Sequence, residues 1–89
     1  MHVSYQLTVS ATCPVNREVR DDYVVVIEAE EMIKIESLLA LMEEYRPRVM
    51  FQEDLTRDIA QQIATAVKVT TTGTHSGVKT TCTCTTHSP

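Results

Sequence analysis

From His2 to Ala11 the chain alternates without interruption, with Val3, Tyr5, Leu7, Val9 and Ala11 on one parity and His2, Ser4, Gln6, Thr8 and Ser10 on the other. Successive side chains of a strand point to opposite faces, so this period of two predicts a strand over His2–Ala11 with one apolar and one polar side. A polar connection over Cys13–Asp22 follows, and then Tyr23-Val24-Val25-Val26-Ile27, a β-branched run of strand length. The two strands are expected to pair as neighbours across that loop.

Ile35, Leu38, Leu39, Met42 and Tyr45 fall at helical spacing, with Glu36, Glu43 and Glu44 on the other side, until Pro47 forbids continuation. Phe51, Leu55, Ile59, Ile63 and Ala66 predict a second helix, with Glu53 and Asp54 in the first turn where the helix dipole favours anions. Both helices are expected to cover one face of a sheet. Beyond residue 64 lie ten of the thirteen threonines, a composition that suits extended structure. Val67–Thr72 and Val78–Thr85 predict a hairpin around Gly73-Thr74-His75-Ser76-Gly77, whose glycines supply positive φ, and Thr86–Pro89 is expected to fray. The expected architecture is α+β: a single domain over residues 1–89, in the order ββααββ, with a four-stranded antiparallel sheet.

An open sheet of this kind has two unpaired edges, and 89 residues bury only about 60 to 65% of their unfolded surface. Assembly into a ring-like homo-oligomer is the expected remedy. Eight basic residues against twelve acidic ones leave a net charge of −4, and no basic cluster interleaves with aromatics, so nucleic acid is not the favoured free partner. No apolar run approaches the roughly 20 residues of a membrane span, and the N-terminus alternates where a signal peptide would carry an apolar core. A cytoplasmic location is expected. Three cysteines, an odd count, argue against a disulfide framework there.

Two short motifs add chemistry to this order. Cys13-Pro14-Val15 follows the first strand, and Phe51-Gln52-Glu53-Asp54-Leu55-Thr56 opens the second helix. Together with the element order over about residues 3 to 85, they resemble the tunnelling-fold (T-fold) family, whose subunits form barrels and bind purines or pterins between subunits. Within that family, Cys13-Pro14-Val15 is similar to the Cys-Pro-Val of nitrile reductases acting on 7-cyano-7-deazaguanine (preQ0) and of the short amidinotransferases that make archaeosine.

The resemblance implies a homo-oligomer, pentamer or decamer, with a small purine-like substrate. It also implies a role for Cys13 as the nucleophile that adds to the nitrile carbon to give a thioimide, a step needing a thiolate and a nearby acid. Arg17 and Arg20, in the same loop, are expected to favour the thiolate. The relatives place their aspartate where Arg20 stands, seven residues after Cys13, so a one-residue insertion would make Asp21 the acid, with Asp22 as the neighbouring candidate. Glu53 maps to the glutamate that accepts two hydrogen bonds from a guanine-like edge, flanked by Gln52, where the nitrile enzymes usually carry His. His75 lies near the place of a functional histidine in the family. Each residue also has a plainer reading: Cys13 closing a strand, Asp21 and Asp22 solvating a loop, Glu53 favoured by a helix start, His75 in a turn.

Gln-Glu followed by Leu-Thr also looks like GTP cyclohydrolase I, which opens its ring with a zinc-activated water. The matching ligand places read Cys13-x-x-Asn16 and His75-x-Gly77, so that spacing is absent, and Cys13, His75 and Cys82 are the alternative ligand set. Cys82, Cys84 and His87 form a second candidate cluster. A reductase would need NADPH, yet Lys34-Ile35-Glu36-Ser37-Leu38-Leu39 lacks the lysine pattern of that motif, and no Gly-rich phosphate loop replaces it. Completion of the thioimide by ammonia, without a cofactor, is therefore expected over hydride. A non-catalytic purine- or pterin-binding subunit is the third alternative.

Overall fold

A computed structural model describes residues 1–87. The elements run β1 (Val3–Thr12), β2 (Arg20–Ala29), α1 (Ile35–Tyr45), α2 (Gln52–Gln62), β3 (Val67–His75) and β4 (Val78–Thr85). The strands form one antiparallel sheet in sequence order, β1-β2-β3-β4. This is the ββααββ order expected. Among the described residues no helix is long and apolar enough to cross a membrane.

The alternation of β1 is realised as read: Val9 and Ala11 are buried on the side that carries Tyr5 and Leu7, while Ser4, Gln6 and Thr8 are exposed. The same parity puts Tyr23, Val25, Ile27 and Ala29 of β2 and Val67 and Val69 of β3 into the core. α1 packs over β1 and α2 over β3 and β4, closing that core with Leu38, Met42, Tyr45, Leu55 and Ile59. At 25 cal/mol per Å² of apolar surface, each such side chain contributes about 1.5–3 kcal/mol. Of the expected stripe on α1, Ile35 and Leu39 are instead exposed, because Leu38, Met42 and Tyr45 take the i, i+4, i+7 line against the sheet.

Three boundaries depart from the sequence expectation. β2 begins at Arg20, since Thr12↔Arg20, Ala11↔Asp21 and Ser10↔Asp22 continue the β1 ladder, and the connecting loop shrinks to Cys13–Val19. Asp21 and Asp22 are thus strand residues, not loop residues. α2 stops at Gln62, with Ile63 already extended, because the chain must turn to enter the sheet at Val67, which pairs with Ala29. β3 continues to His75, and the hairpin turn is only Ser76-Gly77, with φ of 51° and 82°. Positive φ at both turn residues matches the twist of the flanking strands, which lets the ladder run to the last pair, His75↔Val78. Gly73 is a strand residue and not a turn residue.

Thr86, expected to fray, is tied to the sheet, its N–H donating to the Val67 carbonyl at 2.8 Å. Residues 88–89 of the expected tail lie outside the described residues. β1 and β4 are the two edges of the sheet; apart from a bridge between Thr12 and Val49, the outer side of each has no strand partner among the described residues. Self-association through these edges remains the expectation, and light scattering at micromolar concentration should return a mass above that of one chain. A monomer there would count against it.

Candidate functional site

The site is built where the loop after β1 meets the start of α2 and the ends of β2 and β3. Thr12 is pinned on both sides, its N–H donating to the Arg48 carbonyl at 2.9 Å and its carbonyl accepting from the Met50 N–H at 3.3 Å. The Cys13 N–H then donates to the Val19 carbonyl at 3.0 Å, closing the short loop that presents the half-buried thiol. The Arg20 guanidinium donates to the Arg46 carbonyl, a further tie between this loop and the α1–α2 connection, and Arg17 is exposed. Because Phe51 follows directly, these bonds bring the first turn of α2 beside Cys13.

At the other end, the Tyr45 hydroxyl donates to the Asp58 carboxylate at 2.7 Å, and the Arg48 guanidinium lies 3.4 Å from the same carboxylate and over the Tyr45 ring. The connection carrying Val49 and Met50 is therefore clamped to both helices. Burial and the Asp58 bond push the Tyr45 hydroxyl above the ordinary tyrosine pKa, so it stays a donor across the working pH range.

A groove of about 1000 Å³ opens at this junction. Cys13, Asp21, Asp22, Gln52, Glu53 and His75 all line it, six candidates drawn from the first loop, β2, α2 and β3. Within it the carboxylate of Asp21 stands 3.7 Å from His75 Nδ1. His75 Nε2 is 2.9 Å from Gln52 Oε1, and the Gln52 side-chain nitrogen donates to the Thr71 carbonyl (3.2 Å), the Thr71 hydroxyl (3.1 Å) and the Thr80 carbonyl (3.0 Å). Thr56 completes this buried cluster, its Oγ1 lying 2.7 Å from that of Thr71. Glu53, the next residue along, is exposed to the groove.

Asp21 and Asp22 separate because neighbouring strand residues face opposite ways. Asp21 shares the helix-covered face with Tyr23, whereas Asp22 is exposed and accepts from the Ser10 hydroxyl. Tyr23 and Gly73 are the residues that sequence reasoning missed. The Tyr23 ring lies 5.7 Å from that of His75, and its buried hydroxyl, close to Asp21, makes no well-formed hydrogen bond among the described residues. Burial first, then the Asp21 charge, with smaller contributions from Cys13 and Cys82, raise its pKa above the ordinary value. The hydroxyl is therefore a neutral donor facing the site.

Comparison with solved structures aligns this chain on the crystal structure of the archaeosine synthase QueF-Like in the apo form, with a TM-score of 0.88 over 96% of this chain and 92% of that one, at 22% identity. The chain has the tunnelling fold. No family model matches the sequence, and no curated protein matches it either. In this tunnelling fold the six candidates converge although the motifs that pointed to them lie up to 62 residues apart, from Cys13 to His75.

The metal alternative does not fit the same geometry: among the described residues no three His, Cys, Asp or Glu side chains are placed to hold a metal ion, Cys13, His75 and Cys82 included. Cys82 faces the helices beside Glu53; burial, and then that carboxylate, push its thiol pKa up. Cys84 packs against the core. His87, exposed, lies past the end of β4.

Proposed function

We propose that this chain is a 7-deazaguanine-processing enzyme that acts on the nitrile of 7-cyano-7-deazaguanine through a thioimide on Cys13. The observation that carries this reading is the single groove in which Cys13, Asp21, Glu53 and His75 meet. The likeness in fold to an archaeosine synthase supports the substrate class.

In this reading Glu53, exposed at the start of α2, accepts from the ring N–H and exocyclic amine of the base, a two-point contact that selects a guanine-like edge. That places the nitrile over the loop of Cys13. The thiolate adds to the nitrile carbon, one π pair moves to nitrogen, and Asp21 supplies the proton that makes the neutral thioimide. Ammonia then adds to the same carbon and the thiolate leaves, so that the product is an amidine and Cys13 is regenerated. Asp22, on the other face and bonded to Ser10, takes no part in these steps. Hydride delivery from NADPH is the weaker second route, given the missing lysine pattern at Lys34–Leu39.

Intact-mass measurement after incubation with 7-cyano-7-deazaguanine should show a gain of one whole nitrile molecule, discharged as an amidine when ammonium is added. Binding without adduct would favour a non-catalytic purine-binding subunit. Glu53→Gln exchanges a charge-assisted acceptor for an amide with a mismatched donor, and titration calorimetry should show binding weakened by about 1.5–3 kcal/mol. An unchanged dissociation constant would move the anchor elsewhere.

A further inference from the structure

The structure assigns Gln52 as a positioning residue, one that does not touch substrate but fixes the tautomer of His75 and so which ring nitrogen faces Asp21. Gln52 is 4% exposed although it stands at a helix start beside the groove. Which end of its amide points where is decided by its partners. The carbonyls of Thr71 and Thr80 can only accept, so the –NH2 group must face them; the reversed amide would set oxygen against two carbonyl oxygens. Oε1 is thereby turned to His75 Nε2 at 2.9 Å, and since an amide oxygen can only accept, Nε2 carries the hydrogen.

The consequence falls on the other ring nitrogen. With Nε2 protonated, the neutral imidazole presents the bare lone pair of Nδ1 to the Asp21 carboxyl group 3.7 Å away. Nδ1 is thus the ring nitrogen left free to exchange a proton on the side of Asp21. Tyr23 bounds the pair from β2, and Arg20, Asp22, Glu53 and Lys79 are the other charged groups in the groove. Resting on the reaction proposed above, the step balances as follows. The sulfur–carbon bond forms, the π pair of the nitrile goes to nitrogen, and nitrogen takes the proton that Asp21 supplies, leaving the Asp21 carboxylate beside the Nδ1 face of His75.

Two-dimensional 15N–1H NMR of the substrate-free protein tests this, with the His75 signals assigned by their loss in His75→Asn. At a pH where the ring is neutral, Nε2 should resonate as a protonated nitrogen and Nδ1 as a bare one. The opposite tautomer, or an even mixture, would overturn the assignment without any variant of Gln52 being needed. Gln52→Met keeps the shape and removes the amide, and should shift His75 toward a mixture of tautomers. The same variant should slow thioimide formation by at least about ten-fold while leaving iodoacetamide alkylation of Cys13, which needs no proton delivery, within about two-fold. Equal slowing of both would mean a merely structural role. An absence of adduct on the unmodified protein would sink the proposed reaction, but the tautomer of His75 would still decide this inference.

Discussion

Cys13→Ala should abolish the mass gain from 7-cyano-7-deazaguanine while the protein remains folded. The thiol is half-buried at the base of a short loop, and the bonds that hold that loop run through the backbone of Thr12 and Cys13, which alanine keeps. The change in stability is therefore expected to stay within about 1 kcal/mol. Limiting iodoacetamide should label Cys13 before the other two cysteines. Burial and Glu53 hold less of Cys82 as thiolate at neutral pH, because its pKa is raised, and Cys84 is packed on the core. The purine nitrile should protect Cys13 from the reagent. An adduct that survives in Cys13→Ala, or a Cys13 that resists alkylation until the protein unfolds, would return this residue to the role of a small buried hydrophobe.

The second large effect is steric. A Cβ added at Gly73 would lie 2.5 Å from Tyr23 Cδ1 and 2.7 Å from Cε1, well inside contact distance. The Tyr23 ring is among the largest fully buried side chains and stands against His75, so it has little room to withdraw. Gly73→Ala should accordingly destabilise the protein by about 2–3 kcal/mol, the cost typical of overpacking a filled core. For a domain of this size that lowers the midpoint of thermal unfolding by about 10–20 °C. The penalty should shrink in a Tyr23→Leu background, where the clashing edge is gone, and this coupling separates the contact from a general weakness of β3. A Gly73→Ala midpoint equal to that of the parent would mean that the ring moves aside freely.

Gly73 also marks where local reasoning misleads. In the sequence it sits five residues before Val78 and reads as a hairpin glycine, yet its backbone is extended and its missing side chain serves Tyr23, a residue fifty positions earlier. The turn belongs to Ser76-Gly77 because the strand ladder runs on as far as positive φ can be supplied. Asp21 and Asp22 show the same limit: as two acidic residues in a loop they were equivalent, and only the β1 pairing put them on opposite faces. Gln52 was legible as the partner of Glu53 in a binding motif, but not as a group whose every polar atom is taken by Thr71, Thr80 and His75.

By itself the sequence determined the order of elements, the parity of β1 and the neighbourhood of the site. Each of these follows from interactions within a few residues: side-chain alternation, helical spacing, Pro47 ending a helix, a cysteine and a glutamate placed at the ends of regular elements. Tertiary structure alone decided the strand ends, which of two adjacent aspartates faces His75, which nitrogen of that ring carries hydrogen, and why position 73 has no side chain. Those outcomes depend on pairs as far apart as Asp21 and His75, 54 residues, and a distance of about 3 to 4 Å between such groups is set by strand register and helix packing together, which no local pattern encodes.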